Sequence, residues 1–342
     1  MEVCVNRLLL VVSAILLVVG CGAPRPTGPT PVPTNPPLTK LTVGLGYIPS
    51  VQFAQFNRAK VQGYYEDAGL DVTFQNGDDA NLIMLIAQGA DDIGIADGTS
   101  VIPAVGQNIP IVYVATIYAK FPNVVICHTA SGVSRAADLH GKTIGIPGAY
   151  GSSWIMLQAL LESAGLTTAN IIERDYPDYG QGVALQQGQV QCATAFRNNE
   201  PVQLSLAGFK TTALAVDDFV PLPGPGLIVS KSTLDAKRDE LVLFIEATLR
   251  AMQEIDADPN VGLDDAIAYV PELGTVTDRA TQLAILQATI DMWHPKNGGA
   301  NTFGAIDQGA WSDSLSFMKT LPDSNIPDNV TVESLIYKGL LP

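Results

Sequence analysis

The sequence predicts an α/β protein built in two halves, and three observations carry that expectation. Short apolar runs alternate with segments of helical spacing, the alternation restarts after Gly141, and residues 38–342 are more than one hydrophobic core usually holds. In order, Leu41–Leu45 reads as a buried strand, and Val51–Gln62 carries apolar residues at helical spacing until Gly63 stops it. Val72–Phe74, Ile93–Ala96, Ile111–Val114 and Val124–Ile126 are further short apolar runs bounded by Gly, Pro, Asp or Asn, with helices at Asn81–Gln88 and Ser100–Gly106 between them. Strands alternating with helices need crossover connections, so the expected sheets are parallel and covered on both faces. After Gly141 come strand Thr143–Ile146, helix Ser152–Ser163, strand Ile171–Glu173, helix Gln181–Gln187 and strand Val190–Ala195. From Leu241 the chain turns mainly helical, with Leu241–Ile255, Leu263–Tyr269 and Thr277–Met292 as the clearest segments.

Ahead of this body, Arg7 precedes an apolar or small run, Leu8–Val19, that is too short for a membrane span of about 20 residues and has the length of a secretory signal. The run closes as Leu17-Val18-Val19-Gly20-Cys21, which resembles the bacterial lipobox. Residues 1–20 are therefore expected to be a signal peptide, and Cys21 the lipidated first residue of the mature chain. Residues 21–37 follow as a tether; Gly22–Pro37 holds seven prolines and should run as polyproline II, reaching about 50 Å at roughly 3 Å per residue. The body is expected outside the cytoplasm, held at the cell membrane by its lipid anchor alone.

The formal charge is −15, and loss of residues 1–20 removes one Glu and one Arg, so the mature chain keeps it. Such a surface repels nucleic acid and anionic lipid. His128, His140 and His294 are the only histidines, and none has zinc-ligand spacing with another His or Cys, so no metal and no cofactor are expected. His140-Gly141-Lys142-Thr143 imitates the end of a phosphate-binding loop, but Ala136 stands where the upstream glycine is required and the segment precedes a strand. There is no Gly-x-Ser-x-Gly. With Cys4 removed and Cys21 lipidated, Cys127 and Cys192 remain. An oxidising compartment allows one disulfide between them, and two buried thiols are the preferred expectation.

Three segments in order, Gly63–Val72 (GYYEDAGLDV), Ala87–Gly94 (AQGADDIG) and Asp138–Gly145 (DLHGKTIG), resemble the signatures of the NMT1/THI5-like, SsuA-type solute-binding proteins of ABC importers. Asn198-Asn199-Glu200-Pro201 is similar to members that bind a pyrimidine precursor of thiamin and to the riboflavin-binding branch. The resemblance implies a two-lobed periplasmic-binding-protein type II fold with a ligand cleft between the lobes. It places lobe 1 at 38–120 plus 227–342, lobe 2 at 121–226, and hinge crossings near 121–129 and 224–229. Pro221, Pro223 and Pro225 with Gly224 and Gly226 suit the second crossing, since they cannot continue a regular element. The implied partners are a small heteroaromatic ligand, a permease and its ATPase subunit, and the chain is expected to be a monomer without catalysis of its own. The pyrimidine synthases that share the fold are enzymes with a cysteine-rich iron motif, which two remaining cysteines do not supply.

In open α/β sheets the ligand sits beyond the C-terminal strand ends, which selects the residues that follow each strand. These are Tyr47; Asp97 and Thr99; Tyr118; Tyr150, Gly151 and Ser152, with Trp154 one turn on; and Phe196, Asn199 and Glu200. Tyr176 and Tyr179 add to the rim aromatics. Planar rings suit a heteroaromatic ligand, with riboflavin ahead of a formyl-aminopyrimidine; Asp97, Asn199 and Glu200 suit ring N–H and carbonyl groups, and the backbone of Tyr150–Ser152 can receive an anion or a carbonyl oxygen. Lys120 and Arg197 are the only cations in these edge segments, too few for a sulfonate site.

Overall fold

The computed structural model describes residues 37–77, 81–218, 222–296, 303–321 and 324–341; the signal segment, Cys21 and the tether through Pro36 lie outside the described residues. The described strands are β1 (Thr39–Gly44), β2 (Leu70–Gln75), β3 (Ile93–Ala96), β4 (Ile111–Thr116), β5 (Asn123–His128), β6 (Thr143–Ile146), β7 (Ile172–Asp175), β8 (Cys192–Phe196), β9 (Thr211–Leu214) and β10 (Gly226–Ser230). They form two five-stranded sheets, ordered β2-β1-β3-β10-β4 and β7-β6-β8-β5-β9.

Neither sheet is wholly parallel, which corrects the expectation from the strand–helix rhythm. β10 runs antiparallel to β3 and β4, and β5 runs antiparallel to β8 and β9, while β1, β2 and β3, and likewise β6, β7 and β8, pair in parallel. The cause is the route of the chain. It leaves the first sheet at Thr116, the C-terminal end of β4, and enters the second at Asn123, directly opposite Phe196 at the C-terminal end of β8. It returns at Gly226, opposite Ala96 and Thr116. A strand that starts where its neighbours finish can only run against them. β10 begins inside the Pro/Gly segment read as the second crossing, and β9 is the strand the apolar pattern does not announce, because Thr211–Leu214 is short and only partly buried.

Period-two alternation gives each sheet two buried faces. In the first, Val43, Val72, Ile93 and Val229 pack under helices Arg238–Ala257, Pro259–Tyr269 and Arg279–Trp293, while Ile111, Tyr113 and Ile228 meet helices Leu82–Gln88, Gly98–Gly106 and Gln308–Met318. In the second, Val125, Cys127 and Ile144 face helix Gly151–Glu162, and Val124, Ile126, Ala193 and Ala195 face helices Gln181–Gln186 and Glu200–Leu206. The helix expected at Val51–Gln62 opens with a 3₁₀ turn, Val51–Phe53, capped by the Ser50 side chain, and continues as Ala54–Val61.

Cys127 and Cys192 form a disulfide, correcting the expectation of two free thiols. They are register partners on antiparallel β5 and β8, with Cα atoms 4.0 Å apart. Their separation of 65 positions hides this closeness from any reading that takes the sheet as parallel.

The two passages between the sheets lie against each other where residues 117–120 meet residues 224–225. The Ile117 and Tyr118 amides both donate to the Pro225 carbonyl, at 3.1 and 2.8 Å. Gly224 is required here: a Cβ would stand 2.3 Å from the Tyr118 carbonyl oxygen and 2.7 Å from that of Lys120.

Candidate functional site

Between the C-terminal strand ends of the two sheets lies a cavity of about 490 Å³. Tyr47, Asp97 and Tyr118 line it from the first sheet's side, and Tyr150, Gly151, Ser152, Phe196, Asn199 and Glu200 from the second. Two further candidates stand back from it. Thr99 is buried behind Asp97 and donates its hydroxyl to Asp97 Oδ1 at 2.6 Å. Trp154 is half-buried and packs on the core of the second sheet, while its neighbours Ser153 and Ile155 line the cavity. Of the extra rim aromatics, Tyr179 lines the cavity and Tyr176 packs on the outer face of the second sheet.

Tyr47 and Tyr179 meet across the cleft, ring centroids 4.7 Å apart at 75°. Both have left-handed backbone, with φ of 49° and 59°. A bulky side chain in that region is strained by about 1–3 kcal/mol and persists where surrounding contacts dictate it, a condition concentrated at ligand clamps. Asn199 Nδ2 donates to the Tyr47 hydroxyl at 3.1 Å and is itself held by Gln203 Nε2, which donates to Asn199 Oδ1 at 2.7 Å. Deeper in, Asn198 Nδ2 donates to Gln52 Oε1 at 2.8 Å and to Thr289 Oγ1 at 2.9 Å, and the Tyr118 hydroxyl joins the same group. Residues from both sheets thus share one hydrogen-bonded floor.

Asp97 caps helix Gly98–Gly106, accepting the Ser100 amide at 3.1 Å along with the hydroxyls of Thr99 and Ser152. Burial raises its pKa, and those bonds oppose the rise. Glu200 opens helix Glu200–Leu206 and accepts the Phe196 amide at 3.0 Å; burial pushes its carboxyl up to about 7. Among the described residues no Lys, Arg or His lines the cavity. The two edge cations turn elsewhere: Lys120 Nζ pairs with Asp291 at 2.8 Å, and Arg197 Nη2 sits 2.5 Å from Asp217 Oδ1. Sequence reasoning missed Gln52, Gln55 and Gln181, and an aliphatic end formed by Leu82, Pro103 and Ile109. The glutamines leave a signal, since Gln52 and Gln55 fall on the buried side of an otherwise apolar-patterned segment.

The NMT1/THI5-like family model matches residues 50–261. The chain belongs to the NMT1/THI5-like family. Over 317 residues it is 31% identical to riboflavin-binding protein RibY of Chloroflexus aurantiacus, covering 89% of each chain. Over 290 residues it is 23% identical to the formylaminopyrimidine-binding protein of Halalkalibacterium halodurans, covering 82% of this chain and 85% of that one. The alkanesulfonate-binding protein SsuA from Xanthomonas axonopodis pv. citri, solved bound to MOPS, superposes with a TM-score of 0.68 at 16% identity, covering 89% of this chain and 100% of SsuA. That likeness shows the periplasmic-binding-protein fold expected from the sequence. Within the NMT1/THI5-like frame the cation-free lining described above is a property of this chain's own residues.

Proposed function

We propose that this protein is the extracytoplasmic solute-binding component of an ABC importer, capturing a heteroaromatic vitamin, riboflavin first, and delivering it to a permease and its ATPase subunit without catalysis. The observation that carries the reading is the cavity of about 490 Å³, rimmed by Tyr47, Tyr118, Tyr150, Tyr179 and Phe196 and lacking a cation among the described residues. Its size is within the roughly 300–1,000 Å³ of drug-sized ligand sites, and each ring stacked on the ligand adds about 0.5–1.5 kcal/mol beyond area burial. The 31% identity to RibY across 89% of both chains supports the choice of riboflavin. Lobe 1, residues 38–120 with 227–342, and lobe 2, residues 121–226, close on the ligand by hinge movement at the two crossings. The protein works as a monomer, held to the cell membrane by acyl chains on Cys21.

Titration with riboflavin tests the reading. Tyrosine stacking should quench flavin fluorescence, and the flavin should be recovered chemically unchanged. Absence of quenching and of calorimetric heat at micromolar concentrations refutes riboflavin. Tight binding of a formyl-aminopyrimidine in the same assay would favour the second reading, which the likeness to the Halalkalibacterium protein supports. Turnover of the ligand would refute the binding-only role.

A further inference from the structure

We infer that Asp97 is the site's own anion, standing where an acidic ligand group would otherwise sit between two helix N-termini, so that the cleft takes uncharged ligands rich in N–H and O–H groups and rejects oxyanions. The inference rests on the reading of the cleft as the ligand site. Helices Gly98–Gly106 and Gly151–Glu162 both start at the cavity. A helix start offers unsatisfied amides and a positive dipole end, and draws negative charge. At the first helix that charge is Asp97, which is 3% exposed and accepts the Ser100 amide. At the second, Tyr150 makes no side-chain cap, and Ser152 of the first turn is bonded to the Asp97 carboxyl. The carboxylate therefore caps the first helix and holds a first-turn hydroxyl of the second, so its charge stands at both helix starts, and nothing cationic lines the cavity among the described residues to balance a second anion.

A separate observation points the same way. Gln55 Oε1 and Gln181 Oε1 are buried without a hydrogen-bond partner, on side chains that line the cavity and are 1% and 3% exposed. Buried acceptors left unpaired are costly and are satisfied by donors. An imide N–H or a polyol hydroxyl supplies donors without charge, whereas a sulfonate supplies only acceptors and a phosphate brings its donor together with a charge.

The test uses Asp97→Asn and Asp97→Ser, both of which retain a capping side chain while removing the charge. Thermal unfolding of the wild type and both variants is followed in chloride at fixed ionic strength, alone and with low-millimolar inorganic phosphate or ethanesulfonate, concentrations too low for the general stabilisation that kosmotropic anions give. The wild type should keep the same midpoint with and without either oxyanion, and the variants should gain a saturable oxyanion-dependent rise, reflecting anion affinity tightened about tenfold or more by removal of like-charge repulsion. Wild-type stabilisation by either oxyanion overturns the inference whether or not the variants fold, and so do folded variants that respond no more than the wild type. Riboflavin titration runs alongside: its failure to bind ends the vitamin assignment while the salt comparison still decides the role of Asp97.

Discussion

Glu200 gives the site a measurable proton linkage. Its carboxyl moves from an ordinary 4.5 to about 7 because burial disfavours the charge, with the Phe196 amide only partly compensating. Below pH 4.5 the group is protonated in both folded and unfolded chains and its burial carries no ionisation penalty. Between 4.5 and about 7 the unfolded chain ionises while the folded carboxyl keeps its proton, so stability falls as the pH rises across that window, and it levels off once the folded group ionises as well. At about 1.4 kcal/mol per unit of pKa displacement the loss amounts to about 3 kcal/mol. Glu200→Gln removes the ionisation, and its amide oxygen still accepts from Phe196. Urea unfolding of ligand-free wild type and variant at pH 5, 6, 7 and 8 isolates the effect, because the other carboxylates cancel in the difference. Wild type should lose about 2–3 kcal/mol relative to the variant between pH 5 and 8. A flat difference, or one in which wild type gains on the variant, refutes the argument.

Four further outcomes follow from described contacts. Tyr47→Ala should weaken riboflavin binding by about 1–3 kcal/mol in the fluorescence titration, and Tyr47→Gly, which accepts φ of 49° freely, should unfold at higher temperature than the alanine variant. Replacing Cys127 and Cys192 together by Ala should lower unfolding free energy by about 2–4 kcal/mol with little change in ligand affinity, since the pair faces the core of the second sheet. Asp217→Ala leaves Arg197 and Lys296 without their shared carboxylate, contacted at 2.5 and 2.8 Å, and should cost about 1–3 kcal/mol by denaturant titration, with Asp217→Asn intermediate. Cys21→Ser should move the protein from the membrane fraction to the soluble one with riboflavin binding intact; retention in the membrane fraction would refute the anchor.

What the sequence revealed of the site was its strand-end layer. Tyr47, Asp97, Tyr118 and Phe196 could be chosen because the residue after a short apolar run is fixed in place by the strand before it. Gln181 and the aliphatic end around Leu82 and Pro103 reach the cavity from helices, where only the packing of one half on the other decides which turn faces it. The left-handed backbone of Tyr47 and Tyr179 left no mark either, since the sequence places tyrosine where a glycine or asparagine would have signalled the conformation. Strand direction failed for a different reason. Val124–Ile126 announces a buried strand, and its sense is set by where the chain arrives from, which is a property of the route and not of the residues.

The backbone contact between the two inter-sheet passages limits how this molecule can move. Two separate ribbons would let the halves tilt, twist and slide independently. Here the Ile117 and Tyr118 amides grip the Pro225 carbonyl, and Gly224 lies flush against the Tyr118 and Lys120 carbonyls, so the ribbons behave as one pin. In the hinge closure proposed above, rotation about that line is the soft coordinate. With few degrees of freedom to freeze, such a closure would lose little entropy, leaving a ligand's contacts free to appear as affinity.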